Sequence, residues 1–235
     1  MRVAILGVGR LGGTLVPLLR DAGVEVFPWT RGMPIPAGAN AYWITTRDTA
    51  VFEVASFLSP DAVALHAAGA HGPELLGERA DRGVLHPLMT FPGPAVGVPD
   101  LRGVGARVDG TPRAVEVATE IALRLGMRPF RVPGDTRAYH AAACLASGHL
   151  AALFLDAAGV LERAGVPRDE AASLLLPLAE ESLRRVAASG PVALTGPAAR
   201  DDRATERRHH EVLGAGEYTI YAALAARIRS LRGAR

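Results

Sequence analysis

The chain has 235 residues, of which 49% are hydrophobic and 21% charged, and its formal net charge is +2. This balance is typical of a globular protein with one large domain or two smaller ones, and it excludes a disordered chain. No uninterrupted apolar run reaches about 18 residues, so we expect no membrane span. Glycines interrupt the apolar start "MRVAILGVG", which argues against a signal peptide, and a single cysteine agrees with a reducing compartment. We therefore expect a cytoplasmic protein.

All 26 basic residues are arginine, because the sequence contains no lysine. The densest basic segment, "RDDRATERRHH" (200–210), mixes acidic with basic groups, whereas a nucleic-acid site needs continuous positive charge. We expect a small-molecule substrate and no nucleic-acid or membrane partner. The missing lysine also excludes every mechanism that depends on one.

Residues 1–132 alternate short apolar runs, typical of buried parallel strands, with helical patterns. The predicted strands are 2–6, 24–27, 42–45, 62–66, 83–86, 106–108 and 130–132. A helix is predicted after the first strand although Pro17 lies inside it, and another begins after Thr111. This rhythm predicts an α/β fold, an N-terminal Rossmann domain (1–132) with a doubly wound, mostly parallel sheet.

Strand-like runs end near Pro133, and long helical patterns follow at 136–164, 167–188 and 203–231. Residues 133–235 are therefore predicted to form an all-helical domain. The stretch 141–165 is apolar around much of its circumference, which favours burial against another subunit as well as its own domain.

A G-x-G-x-x-G motif lies between the first strand and the first helix. Its glycines allow a tight turn, a close approach of pyrophosphate to the backbone, and close helix packing, while the helix N-terminus offers free N–H groups. The residues predicted to contact a dinucleotide here are Gly7, Gly9, Arg10, Leu11 and Gly12. The alternative is a glycine turn that binds nothing.

The second strand ends in "VFPWTRG", without the carboxylate that binds the ribose 2′-hydroxyl in NAD sites. Thr30 and Arg31 suit a 2′-phosphate instead, so NADP is favoured over NAD. Arg31 as an ordinary exposed turn residue is the alternative. His66 ends the fourth predicted strand and Gly69 follows it, while His86 ends the fifth. These residues are expected to line the nicotinamide end of the site.

The chain resembles Rossmann-like proteins with a helical C-terminal domain of unknown function, which are relatives of pyrroline-5-carboxylate reductase and of the 6-phosphogluconate dehydrogenase-like superfamily. The resemblance covers nearly the whole chain and rests on the glycine motif together with five further segments. These are "LHAAG" (65–69), "HPLMTF" (86–91), "AYHAAACLASG" (138–148), "LTGPAARDD" (194–202) and "YAALA" (221–225). Gly148 replaces the family's usual Asn, and Asp201 replaces the Gly of its Arg-Gly-Asp.

The resemblance implies a homodimer formed through the C-terminal helices, with the active cleft between the two domains. It also implies that the first helix of the second domain brings Tyr139 and His140 to the nicotinamide. Residues expected to contact the substrate are Ser147, Thr195, Arg200 and Asp202, although a loop held by an Arg–Asp pair would explain the last two equally well.

Hydride transfer to a carbonyl leaves an alkoxide that needs a proton, and a protonated imine makes a lighter demand. The candidate donors are His86, His140 and Tyr139, each of which has a purely structural alternative as a buried, hydrogen-bonded group. We expect an NADP-dependent oxidoreductase acting on a small carbonyl or imine; the alternative is a non-catalytic NADP-binding sensor or scaffold. No metal site is expected, since the adjacent His209 and His210 diverge on a helix.

Overall fold

The structure is a computed structural model that describes residues 1–233, in two compact units, Met1–Ser147 and Gly148–Arg235. The division falls later than the predicted boundary after residue 132. The reason is that the first helix of the predicted second domain packs on the α/β unit, where the Thr136 hydroxyl donates to the Ala70 carbonyl at 3.0 Å.

The first unit contains a seven-stranded sheet in the order β2-β1-β3-β4-β5-β6-β7, and it has the seven strands predicted, although the last begins two residues earlier than predicted. The strands are β1 (Arg2–Leu6), β2 (Glu25–Trp29), β3 (Ala41–Ile44), β4 (Ala64–His66), β5 (Arg82–Pro87), β6 (Gly105–Gly110) and β7 (Arg128–Phe130). Only the β5–β6 pair is antiparallel. The predicted fold class, a mostly parallel Rossmann sheet followed by helices, is confirmed.

Helices cover both faces of this sheet. They are α1 (Arg10–Asp21), α2 (Asp48–Ser56), α3 (Pro112–Arg124) and α4 (Thr136–Cys144), with a 3₁₀ turn at Pro73–Leu76. Pro17 lies inside α1 without ending it, because five residues of the helix are buried against the sheet and this packing outweighs the lost hydrogen bond.

Two apolar cores lie on opposite faces of the sheet because strand side chains alternate. One core joins α1 and α3 to residues such as Ile5, Leu65 and Leu85, and the other joins α2 to Leu6 and Ile44. The alternation places neighbouring residues of a strand on opposite faces, and it decides which polar groups meet at the site.

The second unit is helical, as predicted. Its helices are α5 (Leu150–Arg163), α6 (Arg168–Ser189), α7 (Arg203–His210) and α8 (Ala215–Gly233), with 3₁₀ turns at Gly190–Ala193 and Ala198–Arg200. A π-helical segment, Leu145–His149, connects α4 to α5.

The helix that runs from Thr136 to Arg163 is long and apolar enough to cross a membrane by length and composition, and none of its most apolar window is buried within the chain. No uninterrupted apolar run within it reaches about 18 residues, so it passes by its average composition. The helix is this apolar because it has few charged residues among many alanines and leucines. Helices that pack inside soluble proteins also pass this test.

Candidate active site

The glycine motif forms a tight turn between β1 and α1. Gly7 has a φ of 116°, which glycine adopts without strain, and its N–H donates to the Trp29 carbonyl at 3.0 Å. A Cβ at Gly12 would lie 2.0 Å from the Gly7 carbonyl oxygen and 2.6 Å from Thr45 Oγ1. The helix packs this closely against the turn only because residue 12 is glycine.

The N-terminus of α1 is open above Gly9, its N-cap residue. Among the described residues no side chain caps this helix, and a Cβ at Gly9 would meet no atom within 4 Å. The first-turn N–H groups, including those of Arg10 and Leu11, lack intrahelical acceptors by the geometry of an α-helix. Such groups, with the positive end of the helix dipole, bind phosphates. The turn therefore fits a dinucleotide.

Thr46, two residues after β3, adds a polar group beside this turn. A Cβ on Gly7 would lie 2.8 Å from Thr46 Cγ2. The Thr46 hydroxyl is buried and has no hydrogen-bond partner in the part of the chain that the structure describes. Because an unpaired buried hydroxyl costs about 1–3 kcal/mol, this position also fits a polar ligand group.

The end of β2 carries the residues predicted to select the cofactor. Thr30 Oγ1 donates to Met33 Sδ at 3.3 Å, and Arg31 Nη2 donates to Glu53 Oε2 at 2.9 Å. The Arg31 side chain is 74% exposed, so Glu53 orients its guanidinium without withdrawing it from solvent. A 2′-phosphate would have to replace Glu53 or share Arg31 with it, and this contact stays a prediction.

His66, at the end of β4, organises the loop that follows. The Ala68 N–H donates to Nδ1 at 3.1 Å, so Nε2 carries the proton and donates to the Gly72 carbonyl at 2.9 Å. Burial, more than any other cause, lowers the pKa of His66 to about 4, which keeps the ring neutral. The buried side chain therefore shapes the loop, and its predicted contact with a cofactor is untested.

Arg107 is absent from the residues that the sequence predicts, yet it is the most unusual group of the site. Its neighbours along β6 belong to the α1–α3 core, so its side chain points to the opposite face, and the same alternation places His86 there. The side chain is fully buried. An arginine in the middle of the short strand "GARVDG" was the available signal.

α4 brings two aromatic side chains onto this face. Its start is fixed by Asp135, whose carboxylate accepts the Arg137 N–H at 2.8 Å. The Tyr139 hydroxyl and His86 Nδ1 are joined by a 2.7 Å hydrogen bond, and the rings meet edge to face with centroids 5.6 Å apart. The structure thus brings together two of the three predicted catalytic residues.

His140, the third, closes over Gly69. Its ring centroid lies 6.4 Å from that of His86, and a Cβ on Gly69 would lie 2.7 Å from His140 Cδ2 and 2.8 Å from His86 Nε2. Only glycine lets both rings approach the loop this closely. The other close neighbour of His140 is Cys144, whose Sγ lies 3.9 Å from Nδ1.

Burial determines the charge state of the Tyr139–His86 pair. It lowers the pKa of His86 to about 4, and the positive or potentially positive groups of His140, Arg107 and His66 lower this pKa further. Burial also raises the pKa of Tyr139 to about 12, against a smaller opposing effect of Arg107. At neutral pH the pair therefore consists of an uncharged imidazole and a protonated phenol.

The predicted substrate residues have local roles of their own. Ser147 Oγ donates to the Ala143 carbonyl at 2.7 Å. In the helical unit, Asp202 caps α7 by accepting the Thr205 N–H at 3.0 Å, and Thr195 lines an apolar cavity of about 520 Å³. Arg200 ends a 3₁₀ turn. Ser147 and Asp202 therefore have local structural roles, and a contact of any of the four residues with a substrate stays a prediction.

The adjacent histidines of α7 are each engaged with a tyrosine of α8. His209 Nδ1 lies 2.8 Å from the Tyr221 hydroxyl, and His210 stacks on Tyr218 at 3.7 Å. Within residues 1–233 no group of three or more His, Cys, Asp or Glu side chains is placed to hold a metal ion.

Comparison with solved structures shows the same fold along nearly the whole chain. Protein BF3122 of Bacteroides fragilis, provisionally designated an NADP oxidoreductase, is 21% identical over 97% of this chain and 98% of its own, with a TM-score of 0.81. Protein TM1727 of Thermotoga maritima is 21% identical over 98% of both chains, with a TM-score of 0.72.

The pyrroline carboxylate reductase of Plasmodium falciparum, solved with NADP bound, is 11% identical over 99% of this chain and 98% of its own, with a TM-score of 0.63. The predicted resemblance to this reductase is thereby confirmed at the level of the fold. No curated protein matches the sequence. Residues 105–228 match the family described as a domain of unknown function, DUF2520, and the chain belongs to this family.

Proposed function

We propose that this protein is an NADP-dependent oxidoreductase that transfers a hydride to or from a small carbonyl or imine compound. One observation carries the proposal: the open glycine turn and the Tyr139–His86 hydrogen bond lie at the same end of one sheet, the end where the parallel strands finish. β1, β3, β4 and β5 are parallel neighbours, so their carboxyl ends face the same side. This end of the sheet is where doubly wound folds bind nucleotides.

The glycine turn and His86 are separated along this end of the sheet. β1 and β5 are three strand spacings apart, which amounts to about 14 Å at 4.8 Å per spacing. A dinucleotide whose phosphates bind at Gly9 would extend along this end of the sheet towards His86.

The chain's own groups supply the proton. When bound, the nicotinamide provides or accepts the hydride. The Tyr139 hydroxyl, which burial keeps protonated, donates its proton to the oxygen or nitrogen that becomes negative as the substrate carbon is reduced. In the resting site His86 Nδ1 accepts the single hydrogen of this hydroxyl; to act as an acid the hydroxyl turns from Nδ1 to the substrate atom, and the phenolate that remains regains a proton from solvent. Since the chain has no lysine, these residues and His140 are the donors that the site offers.

Exposed Arg31 and the absence of a carboxylate at the end of β2 support NADP over NAD. Self-association is part of the proposal, because the helical unit exposes several large apolar side chains that monomeric proteins normally cover. They include Leu155, Leu174, Leu178, Leu183 and Leu224. We further propose a water-soluble, cytoplasmic protein, in which a second copy covers this surface.

Calorimetric titration with NADPH and NADH tests the first step, and oxidation of NADPH by a panel of small ketones and aldehydes, with and without ammonium, tests the second. We expect tighter binding of NADPH than of NADH, and turnover that Tyr139→Phe lowers. Absence of binding to either nucleotide would overturn the proposal. Binding without turnover on any compound would instead favour the non-catalytic sensor or scaffold.

A further inference from the structure

A permanent positive charge lies directly beside the histidine of the site. In the antiparallel β5–β6 pair, Arg107 is the register partner of His86, and directly opposed residues of such a pair project to the same face. Arg107 Cζ also lies 5.8 Å from the centroid of the Tyr139 ring. One arginine therefore borders both members of the Tyr139–His86 pair.

Stability does not explain why an arginine occupies this position. Its side chain is 0% exposed, and its Nε has no hydrogen-bond partner among residues 1–233. Its one carboxylate neighbour, Asp109, lies at 3.2 Å and is itself partly exposed. Burying a charge with incomplete compensation is costly, and apolar residues at such positions are often at least as stable. The arginine therefore needs another explanation.

Part of that explanation is the loop between β4 and the 3₁₀ turn. Arg107 Nη1 donates to the carbonyls of Gly69 and His71, at 3.1 and 2.9 Å. Gly69 is the residue over which the His86 and His140 rings close. Through these two hydrogen bonds to backbone carbonyls, Arg107 thus fixes the loop against which both histidine rings pack.

The rest of the explanation is electrostatic. The charged or titratable groups that surround His86 are Arg107 and Asp109 on β6, His66 on β4, and Tyr139 and His140 on α4. Of these, Arg107 is cationic at every relevant pH, and a neighbouring cation disfavours the imidazolium. Asp109 accepts a hydrogen bond from Arg107, and within the described residues no hydrogen bond joins it to His86.

We propose that Arg107 is a positioning residue that adds to burial in disfavouring a charged His86 and, through the Gly69 loop, holds the ring so that Tyr139 donates in the Tyr139–His86 hydrogen bond. A phenol is a stronger donor than a neutral imidazole, and the unprotonated imidazole nitrogen is the stronger acceptor. Nδ1 then accepts from Tyr139, and the proton of His86 resides on Nε2, the atom beside Gly69. This inference rests on the proposed function for its catalytic meaning, but its structural content is independent of any cofactor.

The tautomer is measurable in the unmodified protein. Nitrogen NMR of full-length protein labelled at histidine, with His86 assigned from the His86→Gln variant, distinguishes a protonated from an unprotonated ring nitrogen. We expect an unprotonated Nδ1 and a protonated Nε2 at neutral pH. A proton on Nδ1, or a charged ring, would overturn the proposal even if no Arg107 variant folds.

The role of the charge is tested by titrating His86 in Arg107→Met and Arg107→Lys. We expect His86 to titrate roughly one pH unit higher in Arg107→Met, because a like charge is removed, and near the wild-type value in Arg107→Lys. Arg113→Met is the matched control, since Arg113 is an exposed arginine paired with Asp81 at 3.1 Å. An unchanged titration in folded Arg107→Met would refute the electrostatic role.

These readouts separate the inference from the proposed function. If NADPH fails to bind while the tautomer and the titration behave as expected, the role of Arg107 stands and the oxidoreductase proposal fails. If turnover is found, Arg107→Met should raise the acidic limb of the pH profile of kcat/KM by the same shift as the His86 titration. A merely structural role would lower the rate without moving that limb.

Discussion

The Tyr139 hydroxyl lies 2.7 Å from His86 Nδ1, although 53 positions separate the two residues in the chain. β5 holds the histidine at the carboxyl end of the sheet, and α4 holds the tyrosine above it. Phe130, at the end of β7, supports the tyrosine with an edge-to-face contact at 6.0 Å between centroids. Helix and sheet thus meet at a polar contact that joins a phenol to an imidazole.

Replacement of Tyr139 by Phe removes this contact while keeping the ring. We expect turnover to fall by about 10²–10⁴, the usual contribution of a general acid, with little change in NADPH affinity. Steady-state rates and calorimetric binding measure the two effects.

Tyr42→Phe provides the control for this comparison. Its hydroxyl donates to the Pro36 carbonyl at 2.9 Å, away from the proposed site in the same unit. Equal rates for Tyr139→Phe and Tyr42→Phe would remove Tyr139 from the mechanism.

Two glycines of the motif have separable roles. In Gly12→Ala the new Cβ would lie 2.0 Å from a backbone carbonyl, so we expect a loss of roughly 2–4 kcal/mol in the free energy of unfolding, together with loss of NADPH binding. In Gly9→Ala the Cβ meets no protein atom, so stability should fall by only about 0.5–1 kcal/mol, since alanine is a poorer N-cap residue than glycine, while NADPH affinity drops at least tenfold.

Urea unfolding and calorimetric titration check both variants. Gly216→Ala, in the helical unit, also places its Cβ in open space. It should change neither the stability of the first unit nor its affinity for NADPH. Undiminished NADPH affinity in Gly9→Ala would show that the pyrophosphate does not approach the turn.

Local patterns were sufficient to predict the strands and the glycine turn. The run "RVAIL" (2–6) is apolar and short, and glycines at 7, 9 and 12 leave few conformations other than a turn followed by a helix. Each of these predictions depends on residues within about ten positions of one another.

The features that local patterns do not predict depend on tertiary packing. The position of Arg107 opposite His86 follows from the antiparallel register of β5 and β6, which a chain of otherwise parallel strands does not suggest. Likewise, α4 belongs to the first unit because Thr136 and Tyr139 find partners there. For Asp202 the spacing Asp-x-x-Thr is a local signal for the cap of α7, which the sequence-based predictions do not use.

Cofactor preference should respond to Arg31 and to its partner Glu53. Arg31→Ala is expected to weaken NADPH at least tenfold and leave NADH nearly unchanged, since only NADPH carries a 2′-phosphate. Glu53→Gln should strengthen NADPH a few-fold, because the guanidinium then loses its competing carboxylate. Binding of both nucleotides by calorimetry at fixed ionic strength measures the ratio.

Arg124→Ala is the matched control for the Arg31 variant. Arg124 is paired with Glu120 on α3 at 2.8 Å, another exposed ion pair of the same unit. If Arg31→Ala and Arg124→Ala change the NADPH-to-NADH ratio equally, Arg31 does not bind the phosphate.

Stability of the first unit should fall in mild acid. His66 and His86 have native pKa values near 4, against an ordinary value of 6.5, so the unfolded chain binds more protons between these limits. Their stabilising contribution is complete above pH 6.5 and is lost as the pH falls towards 4, at up to about 1.4 kcal/mol per pH unit for each histidine.

Urea titrations at several pH values from 7 to 5 measure this loss. Tryptophan fluorescence reports on the correct unit, because Trp29 and Trp43, the chain's two tryptophans, are both buried there. His86→Gln should remove roughly half of the slope. A stability that is constant across this range would show that the two rings are not held neutral by the fold.

Self-association should depend on the apolar surface of the helical unit. Leu155 on α5 is 68% exposed within the chain, and none of the most apolar part of this helix is buried. Leu155→Glu is expected to convert a dimer into a monomer at micromolar concentration, because burying a carboxylate in an apolar interface is unfavourable. Leu123→Glu on α3, at a residue that is 60% exposed in the first unit, should leave the dimer intact.

Sedimentation equilibrium determines the mass of the wild-type protein and of both variants. Co-sedimentation with phosphatidylcholine vesicles tests whether a lipid bilayer covers the surface instead. A monomeric wild-type protein, or a dimer that tolerates Leu155→Glu as well as Leu123→Glu, would contradict an interface on α5.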